Sequence, residues 1–344
     1  MHSVKFPKIV HKQLYFSGIQ PTGVPHIGNY FGFVKNWIKI QNDAPNVTKL
    51  LSVVDLHAIT TSIPKPSQLN ANIVNMTAGL LACGVDPKKT ILFQQSRIPE
   101  HGQLCWILGS FQTLTQLQRL PQFKDKSKRY GKGQVPLGLV SYPVLQSADV
   151  LLYKGTHVPV GEDQSQHMNL MADLAEHFNL EYKTDYFPIP QMTHSPYPRI
   201  KSLRDPSQKM SKSNPSEFSR IDLSDDADAL HSKIKRALTD SNSKLSFDWE
   251  QRPGVSNLIS IYGAFTGQTP DEIVLENQNL DTLAFKEKLI QIAETELGPI
   301  RKKYNELLAN KAEIWEVLNN GSEQAREIAV RNLDEVCKIV GFRC

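Results

Sequence analysis

The feature of this chain that most restricts its fold is an alternation, in its first half, between short apolar runs and longer amphipathic ones. LYFSGI (Leu14 to Ile19), TKLLSVVD (Thr48 to Asp55), TILFQQS (Thr90 to Ser96) and HVPV (His157 to Val160) have the length and apolar density of buried strands. Helical patterns follow them: NYFGFVKNWIKIQ, SQLNANIVNMTAGLLACG, HGQLCWILGSFQTLTQLQRL and GEDQSQHMNLMADLAEHFN. Repetition of strand and helix in this order predicts an α/β fold, a Rossmann-like doubly wound parallel sheet with right-handed crossovers.

The pattern changes after about Asp205. From Ser224 onward almost everything has helical periodicity, including LAFKEKLIQIAETELGPIRKKYNELL and SEQAREIAVRNLDEVCKIVGF. Ser224, followed by Asp225 and Asp226, is expected to cap the first of these helices. Ser322, with Gln324 and Glu327 close behind, is expected to start the last. The organisation predicted is an N-terminal extension over 1–13, a Rossmann-like domain over 14–215 and a C-terminal all-helical domain over 216–344. A chain of 344 residues accommodates both domains. Hydrophobic residues at 40% and charged residues at 22% exclude wholesale disorder. No apolar stretch approaches the roughly 20 residues that cross a bilayer. Cys83, Cys105, Cys337 and Cys344 form no CxxC pair, so neither a zinc site nor a disulfide framework is expected, and a reducing compartment is.

Net charge is +4, from 39 Lys and Arg against 35 Asp and Glu, which permits a nucleic-acid partner without requiring one. The distribution is more telling. No acidic residue precedes Asp43, and a basic cluster runs through Arg119, Lys124, Lys126, Lys128, Arg129 and Lys132. Two motifs carry chemistry. PHIGN (Pro25 to Asn29) lies just past the first strand and opens the first helix, where backbone N–H groups and the helix dipole favour a phosphate. Gly28 lets a nucleotide approach the backbone, and His26 and Asn29 can hydrogen-bond phosphate oxygens. KMSKS (Lys209 to Ser213), bounded by Pro206 and Pro215 at the predicted domain junction, is a compact cationic loop rich in hydroxyls. Such a loop can wrap a triphosphate and strengthen its contacts as charge develops on leaving pyrophosphate.

With these two motifs, the chain resembles the class I aminoacyl-tRNA synthetases, and within them the tryptophanyl-tRNA synthetase family, in a mitochondrial-type form. The likeness runs from Tyr15 to Phe342 and rests on FSGIQPTGVPHIGNY, VVDLHAIT, QFKDKS, SYPVLQSADVLLY, VPVGEDQSQH, SLRDPSQKMSKS and GVSNLISIY. HIGN stands for the family's HIGH-type signature, and KMSKS is its second signature unaltered.

The resemblance implies activation of L-tryptophan with ATP to tryptophanyl-adenylate, then transfer to the 3′ end of tRNA(Trp). It implies Lys126, Lys209 and Lys212 as the catalytic cations on the phosphates. ATP is a substrate with Mg²⁺ bridging its phosphate oxygens; no protein metal site and no tightly bound cofactor are implied. Gln20, His26, Gly28, Asn29, Gly161, Asp163, Ile200, Met210, Ser211 and Ser213 are implied for ATP. Phe16, His57, Tyr142, Gln146, Asp149, Val158, Val160 and Gln164 are implied for tryptophan. Among these, Asp149 is the one acidic residue in the largely apolar QSADVLLY, a setting suited to a buried acceptor for the indole N–H. Its replacement by Ala is expected to abolish activation and leave the fold intact. Gln146 departs from the pattern, since bacterial relatives usually carry Met there. A homodimer, an anticodon-reading helical part and no membrane contact are also implied. A tyrosyl-type synthetase and a catalytically inactive RNA-binding paralogue stay open at this point. The basic, acid-free opening MHSVKFPKIVHK suits a mitochondrial matrix protein, with a bacterial cytoplasm as the alternative.

Overall fold

A computed structural model describes residues 9–60, 63–131, 134–212 and 214–343. Five parallel strands, β1 (Leu14–Ile19), β2 (Thr48–Val53), β3 (Ile91–Gln94), β4 (His157–Pro159) and β5 (Gln191–Thr193), form one sheet in the order β3-β2-β1-β4-β5. Both faces are covered by helices, which is why the strands are apolar runs; Leu50, Leu51 and Val53 of β2 are fully buried. The order reverses between β1 and β4, so the two chains leaving their C-terminal ends part there and open a crevice. Gln20 and Gly161 stand at its rim. β5 escapes sequence detection because QMT is three residues of mixed polarity behind Pro188 and Pro190.

The helix after β1 begins at Ile27–Asn29, continues as a π-helical turn over Tyr30–Val34 and ends as Lys35–Asp43. HGQLCWILGSFQTLTQLQRL is two helices, Glu100–Gly109 and Leu114–Gln118, because Thr113 starts a new one through a capping box with Gln116. In the helical part, Asp226 rather than Ser224 is the cap: its carboxylate accepts from the Ala229 N–H at 2.8 Å. Its carboxylate supplies the acceptor one turn ahead that Ser224, two residues too early, does not.

Ser322 starts no helix. It lies in the middle of a 30-residue helix, Lys311–Val340, that follows the Thr282–Ala309 helix almost directly. Asn319, Asn320 and Gly321 read as a break in sequence. Tertiary docking overrides them: this helix runs along the free edge of β3. Gly321 meets the Leu92 backbone, the Gln94 N–H donates to the Ser322 hydroxyl at 3.4 Å, and Asn332 donates to the Leu152 carbonyl at 2.8 Å. A Cβ at residue 321 would overlap the Leu92 carbonyl oxygen, which is backbone and cannot turn away. Gly321→Ala is therefore expected to destabilise the protein by about 3 kcal/mol, read as a lowered denaturant midpoint at unchanged slope.

Two apolar clusters lie on the two faces of the sheet, and each includes helices from both halves of the chain. One joins Phe31, Trp37, Leu51 and Val53 to Leu258, Phe285 and Tyr304; the other joins Phe16, Leu50, Phe93 and Phe178 to Ala325 and Val336. Leu50 and Leu51 fall on opposite faces, as the two-residue repeat of a strand requires.

Candidate active site

The helix Leu137–Leu151 carries Tyr142, Gln146 and Asp149 at spacings of four and three, so one face points all three toward the crevice. Asp149 is 2% exposed. Its Oδ1 accepts from Gln95 Nε2 and His101 Nδ1, both at 2.7 Å, and its Oδ2 meets His57 Nε2 at 2.8 Å. A carboxylate only accepts, so both imidazoles turn an N–H toward it, and the Tyr153 hydroxyl donates to His101 Nε2 at 2.9 Å. Burial pushes the Asp149 carboxyl up, but the hydrogen bonds from His101 and His57 outweigh it and hold the group well below the usual carboxylate range. Phe16 is not a wall of an open slot: it is 2% exposed and stacks on Tyr153 at 5.5 Å, beneath this network. Val158 is buried and Val160 half-buried at the end of β4.

Beside Asp149, the Tyr142 hydroxyl donates to Gln122 Oε1 at 3.0 Å and lies 3.0 Å from His167 Nε2, while the His57 ring meets its ring edge-on. Burial pushes the Tyr142 phenol up to about 12. Burial, then Lys126 and His57, push His167 down to about 4, so at neutral pH it is an uncharged partner for that phenol. Gln146 Nε2 donates to Gln164 Oε1 at 3.2 Å, which places the residue departing from the family pattern against an expected ammonium ligand. Lys126 is half-buried, its Nζ 4.6 Å from the Tyr142 ring centre, and burial lowers its pKa. Gln122 Nε2 donates to the Asp163 carbonyl at 3.0 Å, tying the Lys126 helix (Pro121–Ser127) to the loop after β4.

At the other end of the crevice, His26 caps its helix. The Asn29 N–H donates to His26 Nδ1 at 3.3 Å and the His26 N–H donates to Asn29 Oδ1 at 3.2 Å. The two side chains thus order each other and the helix-opening turn, whose Ile27 N–H is itself taken by the Ile221 carbonyl at 2.9 Å. Burial, then Lys212, Lys209 and Arg220, hold His26 down at about 3, so it is a neutral hydrogen-bonding group there. A Cβ on Gly28 would stand 2.9 Å from the His26 ring and 3.5 Å from Met210 Cβ.

Lys209 and Met210 lie on the return arm of a hairpin, and Ser211 and Lys212 follow it. Asp205 holds the turn through Ser207 and Gln208, Lys201 pairs with Lys209, and the Met210 N–H donates to the Ile200 carbonyl at 3.3 Å. Ile200 and Met210 are 3% and 1% exposed, packed in the apolar cluster rather than facing an open cleft. Lys209 is exposed. Lys212 is half-buried, donates to the Thr22 hydroxyl at 3.4 Å and is pushed down to about 8 by burial, which Asp222 opposes and Arg220 reinforces. Ser211 is half-buried, and Ser213 lies outside the described residues. Gln20 and Asp163 are exposed at the rim. Among the described residues no group of three or more His, Cys, Asp or Glu can hold a metal ion.

Gln95, His101, Gln122, Tyr153, His167 and Thr22 complete this site and were not singled out in sequence. The only local signal for Gln95 is a polar pair closing an apolar strand. His101 opens an ordinary amphipathic helix, and its role depends on packing against Asp149 from 48 residues away.

A family model described as tRNA synthetases class I (W and Y) matches residues 11–298. A mitochondrial tryptophan–tRNA ligase of Caenorhabditis elegans is 47% identical over 334 residues, covering 96% of this chain and 92% of that one. A tryptophan–tRNA ligase of Rickettsia conorii is 44% identical, covering 96% and 99%. The crystal structure of tryptophanyl-tRNA synthetase from Campylobacter jejuni, complexed with ADP and tryptophan, superimposes with a TM-score of 0.79 at 30% identity, covering 96% and 100%.

Proposed function

This chain belongs to the class I tRNA synthetases, in the tryptophan–tRNA ligase family, and from that premise we propose how its residues divide the work. The enzyme activates L-tryptophan with ATP to tryptophanyl-adenylate and transfers the aminoacyl group to the 3′ end of tRNA(Trp). In the first step a carboxylate oxygen attacks the α-phosphorus, and the bond to the β-phosphate oxygen breaks to release pyrophosphate. In the second, a hydroxyl of the terminal ribose attacks the carbonyl carbon and AMP leaves. The first nucleophile is already an anion, so positioning and charge stabilisation carry the catalysis.

The observation that carries the assignment of the amino-acid subsite is Asp149. Among the described residues its Oδ2 has one hydrogen-bond neighbour, His57, where Oδ1 has two, which leaves acceptor capacity for an indole N–H. Tyr142 and Gln164 take the ammonium group, His57, Val158 and Val160 flank the ring, Gln146 braces Gln164, and Phe16 supports the floor. Lys126, Lys209 and Lys212 act on the phosphates; Gln20, His26, Gly28, Asn29, Gly161, Asp163, Ile200, Met210, Ser211 and Ser213 complete the ATP subsite. Mg²⁺ would come with the ATP and would neutralise phosphate charge there, beside Lys126, Lys209 and Lys212, without needing a protein cage. The helical region over 216–344 reads the anticodon, with its last helix returned to the sheet. The test is amino-acid-dependent ATP–pyrophosphate exchange with all twenty amino acids and no tRNA. Exchange with tryptophan alone is expected; exchange with tyrosine would overturn the ring assignment, and none at all would overturn the division of roles.

A homodimer is supported by Trp106, Leu114 and Leu137, which are 81%, 57% and 76% exposed on three helices that pack together. Trp106→Glu is expected to shift the sedimentation profile toward monomer. A mitochondrial matrix location is favoured by the Caenorhabditis likeness, with the Rickettsia likeness the argument for a bacterial cytoplasm. Cell fractionation decides between them. No helix among the described residues is long and apolar enough to cross a membrane.

A further inference from the structure

The segment leaving the signature loop doubles back against the helix-opening turn. Its Ile221 carbonyl accepts from the Ile27 N–H at 2.9 Å, its Leu223 N–H donates to the Pro25 carbonyl at 2.9 Å, and Asp222 pairs with His26 between them. Arg220 Nε donates to both Asp222 oxygens at 3.1 Å, and its Nη1 donates at 3.4 Å to the carbonyl of Asn214, the residue that follows Ser213. One guanidinium therefore joins the exit of the loop to the strand that holds the His26 turn. We propose that Arg220 and Asp222 are positioning residues for adenylation, pinning the Lys209–Lys212 segment to the His26–Asn29 turn and setting the charge around Lys212 that meets the incoming triphosphate. This rests on the reading of Lys212 as a phosphate ligand.

The surrounding charges support it. Lys212 is faced by Asp222 and Arg220 from the segment that follows the loop, and by His26 and the Thr22 hydroxyl from the turn after β1. Lys209 is the loop's other cation and acts on His26. Asp222 is faced by Arg220, Asp225 and Lys233, and it acts on Tyr304 of the Thr282–Ala309 helix. Lys233 is engaged by Asp225 at 2.7 Å and stands 4.0 Å from Asp222. Arg301, also on the long helix, donates to the Asp225 carbonyl at 2.8 Å, fixing that carboxylate's backbone. Among the described residues Lys212 donates to one neutral hydroxyl, that of Thr22, and Asp222 is the carboxylate that acts on its charge. Burial raises the Asp222 carboxyl and Asp225 adds to the rise, while Arg220 and Lys233 oppose it.

The test is kcat/KM for ATP in tryptophan-dependent exchange, measured from pH 6.5 to 10. In the wild type the rate is expected to fall above about pH 8, as Lys212 loses its proton. Asp222→Asn removes the anion, so the alkaline limb moves to lower pH and kcat/KM for ATP at pH 8.5 falls about 3- to 10-fold, with KM for tryptophan within about twofold. Arg220→Gln removes a cation beside Lys212 and moves the limb the other way. On a Lys212→Arg background, Asp222→Asn is expected to shift nothing. Opposite shifts from the two variants are not a product of general loosening. Shifts in one direction, no shift, or equal losses in kcat/KM for ATP and for tryptophan would overturn the proposal. Should Asp222→Asn fail to fold, the direction of the Arg220→Gln shift decides alone. Absence of tryptophan-dependent exchange in the wild type would instead sink the functional reading itself.

Discussion

Replacing Asp149 with alanine is expected to lower tryptophan-dependent exchange by roughly 10³-fold or more, because a site built for an N–H donor discriminates through one buried acceptor. From sequence alone the fold is expected to survive this change unaltered, and the structure revises that. The carboxylate holds Gln95, His57 and His101 at 2.7–2.8 Å, so its loss leaves three buried donors without an acceptor. Each orphan costs about 1–3 kcal/mol unless water enters, and the melting temperature is expected to fall with the activity. Asp149→Asn separates the two effects: it keeps the volume and one acceptor oxygen, and presents an amide donor toward one imidazole. It should melt closer to the wild type and still activate tryptophan poorly. A fully active alanine variant would remove Asp149 from the site.

Lys212→Ala is expected to lower kcat for adenylation by roughly 10²-fold or more while KM for ATP changes by no more than a few-fold. Among the described residues Lys212 hydrogen-bonds only the Thr22 hydroxyl, at 3.4 Å, and it is partly desolvated. A cation held this way is poorly matched to a resting partner and well matched to charge that grows on a departing pyrophosphate. Stopped-flow adenylate formation at varied ATP measures the split; equal losses in rate and affinity would make the loop a ground-state binder. Lys212→Arg, which stays charged throughout, should retain activity above pH 8 where the wild type loses it.

What could be read from the sequence was whatever is local. β1 runs from Leu14 to Ile19 as its pattern predicts, since a buried parallel strand needs only a short apolar run between turn formers. The signature segments were legible because their chemistry requires particular residues at fixed spacing. The partners of Asp149 were not, because Gln95 comes from the turn just past β3 and His101 from the helix after it, and nothing near them in sequence encodes a carboxylate across the sheet. The same holds for Arg220 and Asp222, which look like an ordinary charged pair until a backbone pairing sets them beside His26. Helix starts failed at Ser224, where Asp226 two residues on supplies the capping carboxylate, and at Ser322, where docking against β3 overrides the local break.

The helix laid along β3 has a consequence for how the protein comes into being. β3 ends at Gln94, and the helix that covers its outer edge begins at Lys311, so synthesis delivers the sheet long before its cover. During that interval a row of backbone donors and acceptors faces outward, ready to pair with any extended chain nearby. Cutting the chain before Lys311 would therefore yield no free-standing catalytic half. It would yield a nascent-like form with a sticky border, and the terminal helix is in effect the protein's own built-in chaperone.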